Sequence, residues 1–188
     1  MYNNKTRSKA VNNIGYTGIV KLSQYTNGKK FSIAKVHNAG GKPLFDFLAN
    51  CLAGDFDIAK KNLPAKILLL DIVKAESGEI TVNAADNTGF ITLLSKPELV
   101  YAEDAGVVRY RFIIPQEYFA AGTSVGAVRF NAIGLYPSSV KSTADASQFA
   151  AYCEVDTDDW SLSAASVLVL DWELHVTNSH ENKDTELV

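Results

Sequence analysis

The acidic side chains of this chain have the types and spacing that best suit metal binding or catalysis. Four acids lie within residues 154–159, and Asp171 and Glu173 alternate in a later apolar stretch. Carboxylate oxygens are calcium ligands, and a pair of carboxyl groups can hydrolyse a glycosidic bond. The 154–159 group lacks the glycine and the distal glutamate of an EF-hand loop, which leaves two readings open, an irregular calcium site and an exposed turn.

The two later carboxylates lie in residues 164–177, AASVLVLDWELHVT, whose strict alternation predicts a long strand. Asp171 and Glu173 share one face of this strand, and the opposite face is apolar, with Leu168, Leu170, Trp172, Leu174 and Val176. A solvated face is the usual reason for such a pattern, so we expect both carboxylates to face water. A strand with one wet face favours an antiparallel sheet.

The remaining reactive side chains form no recognisable catalytic or metal-binding pattern. His37, His175 and His180 have no second ligand type at metal spacing. Cys51 and Cys153 are far apart in the sequence, which is typical of two reduced, buried thiols. The chain has no nucleophile elbow and no phosphate-binding loop. We therefore predict no catalytic residue, no cofactor and no metal.

Strand-like runs separated by turn residues dominate the chain. Residues 16–25 and 31–37 flank Thr26-Asn27-Gly28-Lys29, and an Asn-Gly pair between two such runs predicts a tight hairpin. The further candidate strands are residues 65–75, 79–82, 89–94, 98–102, 107–114, 125–136, 151–155 and 164–177. Many short strands with regular turn signals favour a β-sandwich or a jelly roll.

One segment has a helical period instead. Pro43 suits the first turn of a helix, apolar residues then recur at spacings of three and four, and Gly54 suits the position after the last turn. These signals predict one short amphipathic helix at about 43–53, followed by a polar link. The whole pattern predicts a mainly β protein, an antiparallel, jelly-roll-like β-sandwich over 15–177, with a flexible arm at 1–14 and a flexible tail at 178–188.

Charge and hydropathy argue against several classes of partner. The net charge of −3 provides no basic field for nucleic acid. The first residues contain no apolar core of a secretory signal, and no apolar run approaches the roughly 20 residues of a membrane helix. We therefore expect synthesis in a cytoplasm, with neither membrane insertion nor direct nucleic-acid binding.

The block Gly18–Phe56 resembles small structural proteins of tailed-bacteriophage virions. In that pattern a hairpin leads into HN-x-G-x-x-x-LF-x-FL and then LAGD, which this chain carries from His37 to Asp55. The segments AIGLY, at 132–136, and VLVLDWELHV resemble the same class. The resemblance implies a β-rich, non-enzymatic homo-oligomer of the head, collar, tail or fibre, located in the virion after synthesis in the host cytoplasm, with copies of itself and other virion proteins as partners.

Two sets of residues are candidate contacts within such a particle. The cations of the arm, Lys5, Arg7 and Lys9, could meet the acidic tail of another copy. Trp160 follows two aspartates in a predicted loop, where an exposed aromatic could anchor an interface or a sugar. Trp160 is therefore also the basis of the alternative function, a carbohydrate- or receptor-binding module.

Overall fold

The computed structural model describes residues 14–85, 88–102, 105–114, 130–155 and 166–178. Within these ranges strands predominate, which confirms the prediction of a mainly β protein. The strands are β1 (Ile14–Thr26), β2 (Lys29–Gly40), β3 (Pro64–Lys74), β4 (Ile80–Ala84), β5 (Ile91–Thr92), β6 (Glu98–Ala102), β7 (Ala105–Ile114), β8 (Ala132–Pro137), β9 (Ala151–Glu154) and β10 (Ser166–Asn178).

These strands form one large, open, antiparallel sheet. Its order is β4-β3-β8-β9-β2-β1-β10-β7-β6, and β5 pairs with β3 beside this path. The half built from β1, β2, β10, β7 and β6 joins the other half through the end of β2, where Ala39 and Gly40 pair with Tyr152 and Ala151 of β9. The sheet is therefore continuous, and its two halves meet at a short junction.

The predicted hairpin is confirmed in its turn and in both strands. Asn27 and Gly28 have φ of 52° and 74°, the left-handed conformations that a tight two-residue hairpin turn requires. β1 and β2 pair from the turn back to Gly18 and Asn38, with one irregularity next to Leu22. The Asn-Gly pair thus determines where the long hairpin reverses.

The predicted helix is also confirmed, as α1 (Lys42–Ala53), with Pro43 in its first turn and Gly54 in the left-handed conformation after its end. The expectation of a single helix and a polar link is wrong, because a second helix, α2 (Phe56–Asn62), follows at once. The Asp55 side chain accepts a hydrogen bond from the Ile58 amide and caps α2. Pro64 disfavours a helical conformation at Leu63, so α2 ends there.

The main core contains side chains from both halves of the sheet. β10 contributes its apolar parity, including Trp172, which is fully buried as predicted. β3 and β8 contribute residues of the other half, and Leu44 of α1 belongs to the same cluster. Burial of this apolar surface is the main source of stability. The alternation read from the sequence therefore assigns the core face of β10 correctly.

A second apolar cluster covers the opposite face of β3 and β8. It includes Leu68 and Leu70 of β3 and residues from the loop 138–150 between β8 and β9. Two hydrogen bonds hold this loop on the sheet: the Tyr136 hydroxyl donates to the Ala146 carbonyl, and the Lys66 ammonium donates to the Val140 carbonyl. Both faces of β3 are therefore buried at its centre.

Gly134 of β8 leaves room for the Tyr136 ring, whose hydroxyl reaches this loop. A Cβ at Gly134 would lie 2.6 Å from the Tyr136 ring and 2.9 Å from a Leu70 methyl group. Both side chains are fully buried and have little room to shift.

We therefore predict that Gly134→Ala lowers the free energy of unfolding by about 2 kcal/mol through overpacking. Urea titration followed by circular dichroism measures this change. Gly106→Ala in β7 is the matched control, because a Cβ there meets nothing within 4 Å. Equal stability of the two variants would contradict the close packing at Gly134.

Candidate functional site

The most polar site among the described residues is a set of ion pairs across β1, β10, β7 and β6. We call it the charged ladder; its members are Lys21, Glu98, Arg109, Arg111, Asp171 and Glu173. The expectation that both carboxylates of β10 face water is wrong, because Asp171 is 6% exposed and Glu173 is 3% exposed. β10 lies between two other strands, and their long basic side chains lie across it and shield the carboxylates.

Asp171 and Arg111 form a two-point contact. They are direct cross-strand neighbours between β10 and β7. The Arg111 Nε and Nη2 atoms donate to Oδ1 and Oδ2 of Asp171 at 2.6 and 2.9 Å. Such a bidentate pair restricts both side chains, so it specifies register as well as adding energy.

Glu173 is contacted from both neighbouring strands. Lys21 of β1 donates to Oε2 at 2.7 Å, and Arg109 of β7 donates through Nε to Oε1 at 3.0 Å. Arg109 also reaches Glu98 on β6 at 3.3 Å, and His175 Nε2 lies 3.4 Å from Oε2 of Glu173. The ladder therefore links four adjacent strands through side chains alone.

The ion pairs of the ladder keep Glu173 in its charged form. Burial alone would raise the pKa of Glu173, but the hydrogen bonds and charges of Lys21 and Arg109 outweigh it and hold that pKa below its ordinary value. The general acid of a glycoside hydrolase needs a raised pKa. Glu173 is therefore a fixed anion at neutral pH, which suits a structural role.

Other residues singled out in the sequence lie apart from the ladder or outside the described ranges. His37 is exposed on β2. Cys153 is buried in β9, where burial raises the pKa of its thiol to about 12, and Cys51 is half-buried on α1; both are free thiols. Outside the described residues lie the predicted contacts Trp160, Lys5, Arg7 and Lys9, together with His180 and the three aspartates of 154–159.

A surface pocket of about 460 Å³ lies where β3 and β9 extend past the start of β8. Lys74 and Glu154 form an ion pair across it at 2.7 Å. The Asn131 side chain accepts a hydrogen bond from the Ile72 amide and donates one to the Ile72 carbonyl, both at 2.8 Å. These bonds extend the pairing of β8 with β3 by one residue. Its polar groups are thus already paired with one another.

The two helices expose several large apolar side chains that the sequence pattern did not distinguish from the core. The apolar stripe of α1 separates in the structure: Leu44, Phe47 and Leu48 face the core, whereas other residues point outward. We call the outward set the helix-pair surface; it consists of Phe45 (54% exposed), Leu52 (76%), Phe56 (62%) and Ile58 (45%). Phe45, Ala49 and Leu52 recur at spacings of four and three, which places them on one side of a helix. This spacing was the signal in the sequence for a second apolar stripe on α1.

Comparisons with protein-family models, with curated proteins and with solved structures find no match. In the described ranges, no group of three or more histidine, cysteine, aspartate or glutamate side chains could hold a metal ion. No helix in the described part of the chain is long and apolar enough to cross a membrane.

We predict that Glu173→Gln lowers the free energy of unfolding at pH 7 by about 2 kcal/mol, because the amide removes the charged partner of Lys21 and the more buried of the two charged partners of Arg109. The pKa of Glu173 is lower in the folded than in the unfolded chain. Its stabilisation is therefore present above an unfolded pKa of about 4.3 and is lost as the pH falls through the folded value.

Urea titrations of both proteins at pH 7 and about pH 3 measure this difference, which should shrink at the lower pH. Glu76→Gln is the control, because Glu76 is an exposed glutamate in the turn after β3. An undiminished difference at acidic pH would show that the charge of Glu173 is not the source of the stabilisation.

Proposed function

We propose that this chain is a non-enzymatic structural protein of a tailed-phage virion, which assembles as a homo-oligomer in the head, collar, tail or fibre. The helix-pair surface is the observation that carries the proposal. Phe45 and Leu52 lie in the block that resembles phage structural proteins, and both are largely exposed. Large apolar side chains that are exposed on neighbouring helices favour a role in protein–protein contacts.

The charged ladder supports the same role. A subunit of a particle must present its contact surfaces in a constant geometry, and rigid partners lose less entropy when they associate. The ladder joins β1, β10, β7 and β6 with paired charges, and Glu173 is held ionised rather than available as an acid. These features favour a structural role for the charged ladder over a catalytic one.

We propose the jelly-roll-like sandwich as the finer arrangement of the sheet. One observation supports two packed layers, because the main core contains side chains of both halves. In addition, the Leu94 amide donates to the Arg111 carbonyl of β7 at 3.0 Å, which brings the segment after β5 next to the other half. The proposed partners are copies of this chain and other virion proteins, and the proposed location is the virion, after synthesis in the host cytoplasm. The net charge of −3 argues against direct contact with nucleic acid.

We expect the purified 188-residue chain to form a discrete oligomer, measured by native mass spectrometry and sedimentation up to about 100 μM, a concentration well above the dissociation constant of a standard interface. A strict monomer over this range would contradict the homo-oligomer. Glycan binding by that monomer, lost in Trp160→Ala, would favour the carbohydrate- or receptor-binding module instead.

A further inference from the structure

Lys66 of β3 is a half-buried lysine beside the second apolar cluster, under the loop 138–150. Its ammonium lies 4.1 Å from the centre of the Phe90 ring and donates to the Val140 carbonyl. The ion pairs found among the described residues do not include Lys66. Within this part of the chain, its partners are therefore an aromatic ring and a carbonyl, and not an acid.

The surroundings of Lys66 favour its neutral amine more than water does. Partial burial and the charge of Lys141 lower the pKa of Lys66. Lys141 belongs to the loop, where its ammonium donates to the Ser138 carbonyl at 3.3 Å. The neutral amine is the nucleophilic form of lysine, and a desolvated lysine next to a second cation is one way in which proteins obtain it. Lys66 therefore has more reactive amine at neutral pH than an ordinary surface lysine.

Lys74 has the opposite arrangement on the same strand and the same face. Its ammonium is paired with Glu154 at 2.7 Å, and the hydrogen bond to this carboxylate raises the pKa of Lys74. Lys74 is also more exposed than Lys66. The two lysines thus form an internal comparison in which access favours Lys74 and the neutral amine favours Lys66.

The loop 138–150 is attached at both ends through its backbone, and side chains hold its middle. At its start the Ser138 amide donates at 2.9 Å to the carbonyl that follows α2, and at its end the Ala150 amide donates at 2.6 Å to a carbonyl of β8. Between these points, Lys66 and Tyr136 each donate to a carbonyl of the loop. An uncharged amide at Lys66 would lose the contact with the aromatic ring and add atoms under the loop.

We propose that Lys66 is a site of covalent acylation, which takes an acyl group from an acyl phosphate and thereby releases the middle of the loop 138–150. The neutral ε-amine attacks the carbonyl carbon of the donor and forms a C–N bond. The C–O bond to phosphate breaks, phosphate leaves with the bonding electrons, and the amine proton passes to water. The ammonium of Lys141 attracts the phosphate group, which favours this class of donor.

The first test measures acetylation of the 188-residue chain by acetyl phosphate, using peptide mass spectrometry at low extents of reaction. At about pH 8, Lys66 should react at least about 10-fold faster than Lys74, because more of its amine is neutral. As the pH rises, the rate at Lys66 should also reach its plateau first. A Lys74 that reacts as fast as Lys66 would overturn the proposed site.

Two variants of Lys141 separate its charge from its size. Lys141→Gln should slow acetylation of Lys66 at least about 3-fold, because the pKa of Lys66 then rises and the phosphate group loses a partner. Lys141→Arg keeps the positive charge and should leave the rate within about 2-fold of the wild type. An unchanged rate in Lys141→Gln would overturn the choice of an acyl phosphate as the donor.

Hydrogen exchange tests the consequence for the loop. Lys66→Gln replaces the ammonium with a neutral amide and should speed exchange of the loop amides at least about 5-fold, whereas Lys66→Arg should stay within about 2-fold. Lys74→Gln is the matched control, because the ion-pair partner of Lys74 lies on β9 and not on the loop. Slow exchange of the β3 amides shows that each variant is folded. Wild-type exchange of the loop in Lys66→Gln would overturn its release by acylation.

Discussion

The pairing of β10 with β1 and β7 is the constraint on which the rest of the structure depends. On one face of β10 this register places Trp172 in the core, and on the other it places Asp171 opposite Arg111. A slip of one residue would exchange the faces and bury two carboxylates in apolar surroundings. Packing on one side and ion pairing on the other therefore specify the same register.

The ion pairs contribute more to the specificity of strand pairing than to the net free energy of folding. Two buried carboxylates lose hydration, and their basic partners return a similar amount of free energy. Removing a single partner would leave a buried charge uncompensated, so the ladder strongly penalises any wrong pairing of these strands. Asp171 and Glu173 thus act as positional restraints, and the two-point contact with Arg111 is the most directional of them.

Helix α1 packs in the core through one apolar stripe and exposes a second one. Leu44 packs in the core and anchors α1, while Phe45 and Leu52 of the same helix remain exposed. A short helix with two apolar stripes can attach to its own domain and still offer a surface to a neighbour. In the proposed virion role, the sheet supplies rigidity and the helix pair supplies the contact.

Local signals in the sequence determined the hairpin turn at Asn27-Gly28, the limits of α1 and the core parity of β10, because each depends on a few neighbouring residues. They did not determine the environment of Asp171 and Glu173 or the outward direction of Phe45. Those properties depend on which distant strand or helix lies alongside, and Lys21 and Glu173 are separated by 152 residues in the chain. Only the tertiary structure brings such residues together, so only it could show that the two carboxylates of an apparently solvated face are buried under ion pairs.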